Sequence, residues 1–102
     1  MMPLPYCVYV LFSRKDHLLY IGFSTNLANR VTQHNSGKNR STASRIPLEL
    51  IFCEFYLYKK DALNREKYFK TSIGKKALKL MLNSTLEELG YKNISIKYQF
   101  DD

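Results

Sequence analysis

The sequence predicts one mixed α/β domain, and three observations carry that expectation. Two apolar runs, 6–12 and 18–23, flank the short polar stretch 13–17, the pattern of a β-hairpin. A third apolar run, 48–58, is the longest strand candidate. Between and after these runs, apolar residues recur at helical spacing. A length of 102 residues suits a single domain, 1–102, with a modest core. Hydrophobic residues make up 45% and charged residues 25%, the ordinary balance of a soluble globular chain.

Each arm of the hairpin holds a tyrosine where a core strand usually carries an aliphatic residue. A turn centred on Arg14 and Lys15 sets Tyr9 directly opposite Tyr20. A shift of one residue on each arm makes them diagonal neighbours on the same face, within reach of long side chains. Two phenols on one face serve either packing or chemistry, and the hairpin alone does not separate the two.

Gly22 to Asn26 then reads as a strand-to-helix junction with cap candidates. A helix is expected over 27–35, with Leu27 and Val31 as an i,i+4 pair facing the core. Arg30 and His34 form a second such pair on an adjacent stripe. They are either donors able to hold a phosphate or a solvated helix flank. Gly37 is a plausible stop. The stretch 37–47 has no periodicity and carries Lys38, Arg40 and Arg45 among hydroxyls. It suits phosphate contacts or a flexible connection.

The run 48–58 is apolar on both faces through its middle, so a central, doubly covered strand is expected. A helix over 61–71 follows, with Asp61 as N-cap. Its core stripe counts out as Ala62, Glu66, Phe69 and Ile73, with Leu63 beside it. Glu66 is the single polar residue on that stripe. A carboxylate facing a core must be paired or bind a metal. An ion pair with Lys70, one turn on, is the plainer alternative. Residues 72–74 break this helix, and another begins at Lys75 and ends at Asn83. Ser84 to Glu87 forms a capping-box pattern opening a short helix stopped at Gly90. Ile94, Ile96, Tyr98 and Phe100 alternate with polar residues, as a half-buried strand does. That strand would add to a sheet edge or pair with a second copy.

Sixteen Lys and Arg against nine Asp and Glu give a net charge of +7, which favours a polyanionic partner. Nucleic acid leads, because no basic amphipathic helix stands out for a membrane surface. Residues 59–79 hold eight Lys or Arg, with Lys70, Lys75 and Lys76 among them, against Asp61 and Glu66. Cys7 and Cys53 sit in apolar runs and read as buried free thiols. With two histidines at no close spacing they do not suggest a zinc site. No apolar run approaches the roughly 20 residues of a membrane span, and the N-terminus has no cleavable-signal pattern. A reducing cytoplasm is expected.

Cys7-Val8-Tyr9 and Tyr20-Ile21-Gly22 resemble the two signature tripeptides of the GIY-YIG nuclease family. The first keeps only its tyrosine, and the second matches fully. Arg30 and His34 resemble the family's helix motif, and Glu66, after a strand, its metal-binding glutamate. The stretches 47–54 and 62–66 are similar to the small standalone bacterial branch related to the nuclease half of the UvrC repair protein. The resemblance covers about 6–82 and leaves 83–102 as a C-terminal extension. It implies an α+β fold, a three-stranded antiparallel sheet flanked by helices. It also implies metal-dependent hydrolysis of phosphodiester bonds in DNA, in repair or recombination.

By the same resemblance, Glu66 holds Mg2+ or Mn2+ and Tyr9 is the general base. Arg30 supplies positive charge, Tyr20 bonds the phosphate or the water, and His34 is a supporting donor or a proton carrier. Lys38, Arg40, Arg45, Lys70, Lys75 and Lys76 would meet flanking phosphates. Asn83 is given no role. The partner is DNA, with no membrane and no small-molecule cofactor, and the chain is a monomer or weak homodimer. The reading from a different class is a non-catalytic nucleic-acid-binding module on the same scaffold.

Overall fold

The computed structural model describes residues 3–91. The strand expected over 94–100 lies outside them. Strands β1 (Tyr6–Ser13) and β2 (Leu19–Ser24) form the hairpin, followed by α1 (Leu27–Asn35). A single 3-10 turn at Ala43–Arg45 leads into β3 (Leu48–Tyr56), and α2 (Lys59–Phe69), α3 (Ser72–Met81) and α4 (Asn83–Glu88) follow. The three strands form one antiparallel sheet in the order β2-β1-β3.

The first strand, not the third, is therefore central. Every residue of β1 from Cys7 to Ser13 is buried. β3 is an edge strand, and Leu50 and Phe55 on it stay 37% and 46% exposed. A long apolar run reads the same whether a second sheet neighbour or a helix covers it, so its position in the sheet was not in its pattern.

The alternation of β1 sorts its side chains onto two faces. Cys7, Tyr9 and Leu11 pack with Leu48, Tyr20, Cys53 and the Leu27 and Val31 of α1. Val8 and Val10 pack with Ile21, Ala62, Phe69, Leu78, Leu82 and Leu86. α1 thus covers one face and the three later helices the other. This is helix on both sides of a sheet, which buries both faces of the middle strand.

The ends of α1 follow local chemistry. Asn26 Oδ1 accepts from the Asn29 N–H at 3.1 Å as an N-cap, and Gly37 takes the left-handed φ of +78° just past the end. The later helices depart from expectation. α2 starts at Lys59, so Asp61 lies in its first turn rather than at the cap. The chain breaks at Lys70 and Thr71, and the Thr71 hydroxyl caps α3 by accepting from the Gly74 N–H. Ile73 is consequently 74% exposed and not part of the α2 core stripe, and Leu63 is 39% exposed. Gly74 belongs to packing: a Cβ there would collide with the Tyr68 carbonyl. α4 begins at Asn83 without a side-chain cap, so the capping box at Ser84 does not form. Gly90, at a φ of +69°, follows its end as expected.

Candidate active site

The hairpin register pairs Tyr9 with Gly22 and Leu11 with Tyr20. The two tyrosines are therefore diagonal neighbours, with ring centroids 6.4 Å apart. The turn is held by Ser13 Oγ, which accepts from the N–H groups of Lys15 and Asp16, and by Asp16 Oδ1, which accepts from the Leu18 N–H at 2.8 Å. Tyr9 is fully buried. Its ring lies over Gly22, where any Cβ would run into the phenol's outer edge and hydroxyl. The glycine of the second tripeptide is thus the floor on which the tyrosine of the first one rests.

α1 presents its polar stripe to the same spot. His34 is fully buried, and its Nε2 lies 2.9 Å from Tyr9 Oη. Its ring meets Tyr20 edge-on at 5.0 Å between centroids. Arg30, one turn earlier, is half-buried and close to the Phe23 carbonyl, with Nη1 at 3.5 Å. Asn35, next to His34, clamps α1 onto β3: its Nδ2 donates to the Leu48 carbonyl at 2.8 Å and its Oδ1 accepts from the Leu48 N–H at 2.7 Å. The far nitrogen of His34, Nδ1, lies 2.6 Å from the Thr42 hydroxyl, and Thr42 is itself fully buried. Neither Thr42 nor Asn35 was singled out by sequence. Thr42 sits in an aperiodic loop among other hydroxyls, where nothing local distinguishes it.

The electrostatics follow from this crowding. Burial pushes the Tyr9 phenol up to about 12, Tyr20 beside it adds to the rise, and the Arg30 guanidinium offsets part of it. The Glu66 carboxylate also acts on that phenol, raising it slightly. Burial, then the charge of Arg30, lowers the His34 imidazole, which keeps it neutral. Tyr9 is thus a neutral phenol among groups that would favour its phenolate (Arg30) and groups that would oppose it (Tyr20 and Glu66).

Glu66 lies on α2, on the other side of the sheet, and acts on the Tyr9 phenol through its charge alone. Its side chain is 19% exposed and pairs with Lys70 Nζ at 3.1 Å, one turn on. Lys70 is itself 53% exposed, so the pair is open to solvent on one side and is weak. Among the described residues no group of three or more His, Cys, Asp and Glu could hold a metal. One partly exposed carboxylate fits a hard divalent cation that keeps most of its waters. It does not fit a preformed cage.

The basic residues divide by what they already hold. Lys38, Arg40 and Lys75 are exposed, and Lys76 is partly so. Arg45 is tied into the hairpin turn through Asp16, at 2.5 Å, and through the Leu19 carbonyl. Arg65 forms a two-pronged pair with Glu54 and lies 4.3 Å above the Phe69 ring. Lys79 is buried over the Tyr91 ring. The charge count of 59–79 therefore overstates the cations free to meet a partner.

A buried tyrosine resting on the glycine of Tyr-Ile-Gly, with an arginine and a histidine aimed at it from the next helix, is matched by a known domain. The GIY-YIG catalytic domain aligns with residues 5–79. This chain belongs to the GIY-YIG family. It is 35% identical to a UPF0213 protein of Clostridium perfringens over 86 residues, 83% of this chain and 91% of that one. It is 33% identical to the UPF0213 protein YsiG of Lactococcus lactis, across 90% of this chain and 89% of the relative. The UPF0213 protein YazA of Bacillus subtilis is 43% identical over a shorter stretch, 61% of this chain and 64% of the relative. No solved structure matches. The three-stranded antiparallel sheet with flanking helices is the fold expected of a GIY-YIG nuclease, and the chain is a small nuclease-type member of that family. Among the described residues no helix is long and apolar enough to cross a membrane.

Proposed function

We propose that this protein is a divalent-metal-dependent endonuclease that hydrolyses phosphodiester bonds in DNA, with Tyr9 as its general base. The observation that carries the reading is the convergence of one helix on one phenol oxygen: His34 Nε2 stands 2.9 Å from it, and the Arg30 guanidinium one turn earlier acts on it electrostatically. A fully buried phenol bonded by polar side chains of a neighbouring helix is an expensive arrangement for packing alone.

The roles follow from position. Tyr9 takes a proton from the attacking water. Arg30 favours the phenolate this requires and offsets the negative charge that develops on the phosphate. Tyr20, on the same face, hydrogen-bonds the phosphate or the water. Glu66 holds Mg2+ or Mn2+ once Lys70 swings aside, and that ion, when bound, supplies Lewis-acid stabilisation of the scissile phosphate and the leaving oxygen. Lys38, Arg40, Lys75 and Lys76 contact flanking phosphates, which carry affinity without sequence preference. The likeness to the nuclease half of a repair protein supports a role in DNA repair or recombination. The free thiols of Cys7 and Cys53 suit a reducing compartment.

Incubation with supercoiled plasmid in Mg2+ and in Mn2+ tests the proposal. The wild type is expected to nick it, and Tyr9→Phe and Glu66→Ala each to abolish nicking while keeping the wild-type fold by circular dichroism. Undiminished cleavage by either variant would sink the assignment of that residue. DNA binding with a steep salt slope and no cleavage in either metal would favour the non-catalytic module.

A further inference from the structure

α3 turns one lysine inward. Lys79 is 8% exposed, while the next two residues, Leu80 and Met81, are 55% and 49% exposed. Burial by hydrophobicity alone would select the reverse. The Lys79 ammonium lies 6.0 Å from the centre of the Tyr91 ring, and among the described residues no hydrogen bond or ion pair reaches it. Burial, then the charge of Lys75 one turn earlier, lowers its pKa below the ordinary lysine value. A buried ammonium without an acceptor is costly, and an anion brought to it offsets that cost. Space for one is at hand. Lys79 lines a cavity of about 210 Å3 between α3 and β2. Leu18, Leu19, Ile21 and Leu78 form its apolar wall, and Tyr91 and the exposed Lys75 complete it. No described carboxylate lines it, so an incoming anion meets no like charge. The volume equals about seven waters at roughly 30 Å3 each, below the ~300 Å3 at which pockets for drug-sized ligands begin. The occupant is therefore short.

We infer that this cavity binds a short-chain carboxylate, its alkyl body against Leu18, Leu19, Ile21 and Leu78 and its head group paired with the Lys79 ammonium. One buried ammonium matches one negative charge, and the leucine and isoleucine side chains offer no donors to the further oxygens of a phosphate group. The cavity is separate from the proposed active site. Tyr20 and Ile21 are successive residues of β2, and successive side chains of a strand point to opposite faces. Tyr20 packs with Tyr9, and Ile21 belongs to the cluster of Leu78, so the cavity and the Tyr9 phenol lie on opposite faces of the sheet. Binding there does not depend on whether the chain cleaves DNA.

NMR titration of the isotope-labelled full chain with hexanoate tests this. Hexanoate is expected to saturate, with amide shifts centred on Leu19, Ile21, Leu78 and Lys79. Hexanol supplies the apolar body alone, and acetate and inorganic phosphate supply charge without it. Each should bind roughly tenfold more weakly than hexanoate. Lys79→Met keeps an unbranched apolar stem and removes the ammonium. It should bind hexanoate roughly tenfold more weakly and hexanol as the wild type does. A further measurement needs no variant to fold: in the wild type, saturating hexanoate should raise the Lys79 titration midpoint read from its side-chain carbon signal, with Lys75 and Tyr91 the other titratable groups at the cavity. No saturable shift at these residues, an unmoved Lys79 midpoint, or hexanol or phosphate binding as tightly as hexanoate would each overturn the site.

Discussion

Gly22 lies directly across the β1–β2 ladder from Tyr9, and the side chain it lacks is the space the phenol fills. Gly22→Ala forces a collision with a fully buried ring on the central strand. The expected cost is on the order of 1–3 kcal/mol, seen as a lower urea midpoint. Nicking should fall by about a hundredfold, because the proposed base is displaced from its partners. A variant as stable and as active as wild type would show that the ring has another place to go.

Stability should fall as pH drops, in two windows. His34 is lowered by burial and by Arg30, so the folded chain holds it neutral while the unfolded chain protonates near pH 6.5. Its contribution is full above that value and is lost as pH falls through the lower folded value. Burial pushes the Asp16 carboxyl up, but the Arg45 bond, the Leu18 N–H, the Arg45 charge and Ser13 outweigh it and hold it low. Burial likewise raises Glu54, and the bonds from Arg65 and Tyr56 outweigh it. Depressed carboxylates stabilise above about pH 4 and stop doing so as pH falls through their folded values. Urea midpoints from pH 8 to 3 check both windows, and Asp16→Asn should flatten part of the second.

Nicking should speed up with pH through neutrality. The Tyr9 phenol is pushed up to about 12 in the free protein, so the base form grows roughly tenfold per pH unit well beyond pH 7. A log kcat/KM profile rising with near-unit slope between about pH 6 and 9 is expected. A flat profile over that range would place the base elsewhere.

Binding to DNA should weaken uniformly with sequence when exposed cations are removed. Lys75→Ala and Lys76→Ala are each expected to reduce the slope of log K against log salt by about 1. Arg65→Ala should act mainly on stability, because Arg65 is already bonded to Glu54. Fluorescence anisotropy with a labelled duplex, run at several salt concentrations, separates the two effects.

What was legible in the sequence is what neighbours along the chain decide. The hairpin arms, the limits of α1 at 27 and 35, and the stop at Gly37 all depend on residues a few positions apart. Glu66 could be picked out because one carboxylate interrupts an apolar stripe. Tyr9, Tyr20, Arg30 and His34 stood out by their spacing in two short segments. The break between α2 and α3 was misplaced for a similar reason. Gly74 looked like a helix breaker, whereas Thr71 provides the cap and Gly74 lets α3 approach the Tyr68 carbonyl.

The tertiary structure decided the rest, because the remaining choices join residues far apart in sequence. β1 became the central strand by pairing with both β2 and β3, a selection that no pattern within a single strand encodes. The reason Gly22 must be glycine exists only once the register lays the Tyr9 ring on it. Thr42, one hydroxyl among several in an aperiodic loop, gained its place when that loop closed over His34. The sequence by itself singled out the side chains proposed to carry the chemistry. Packing determined which of them meet, since burial leaves every polar group with only the partners the fold puts within reach.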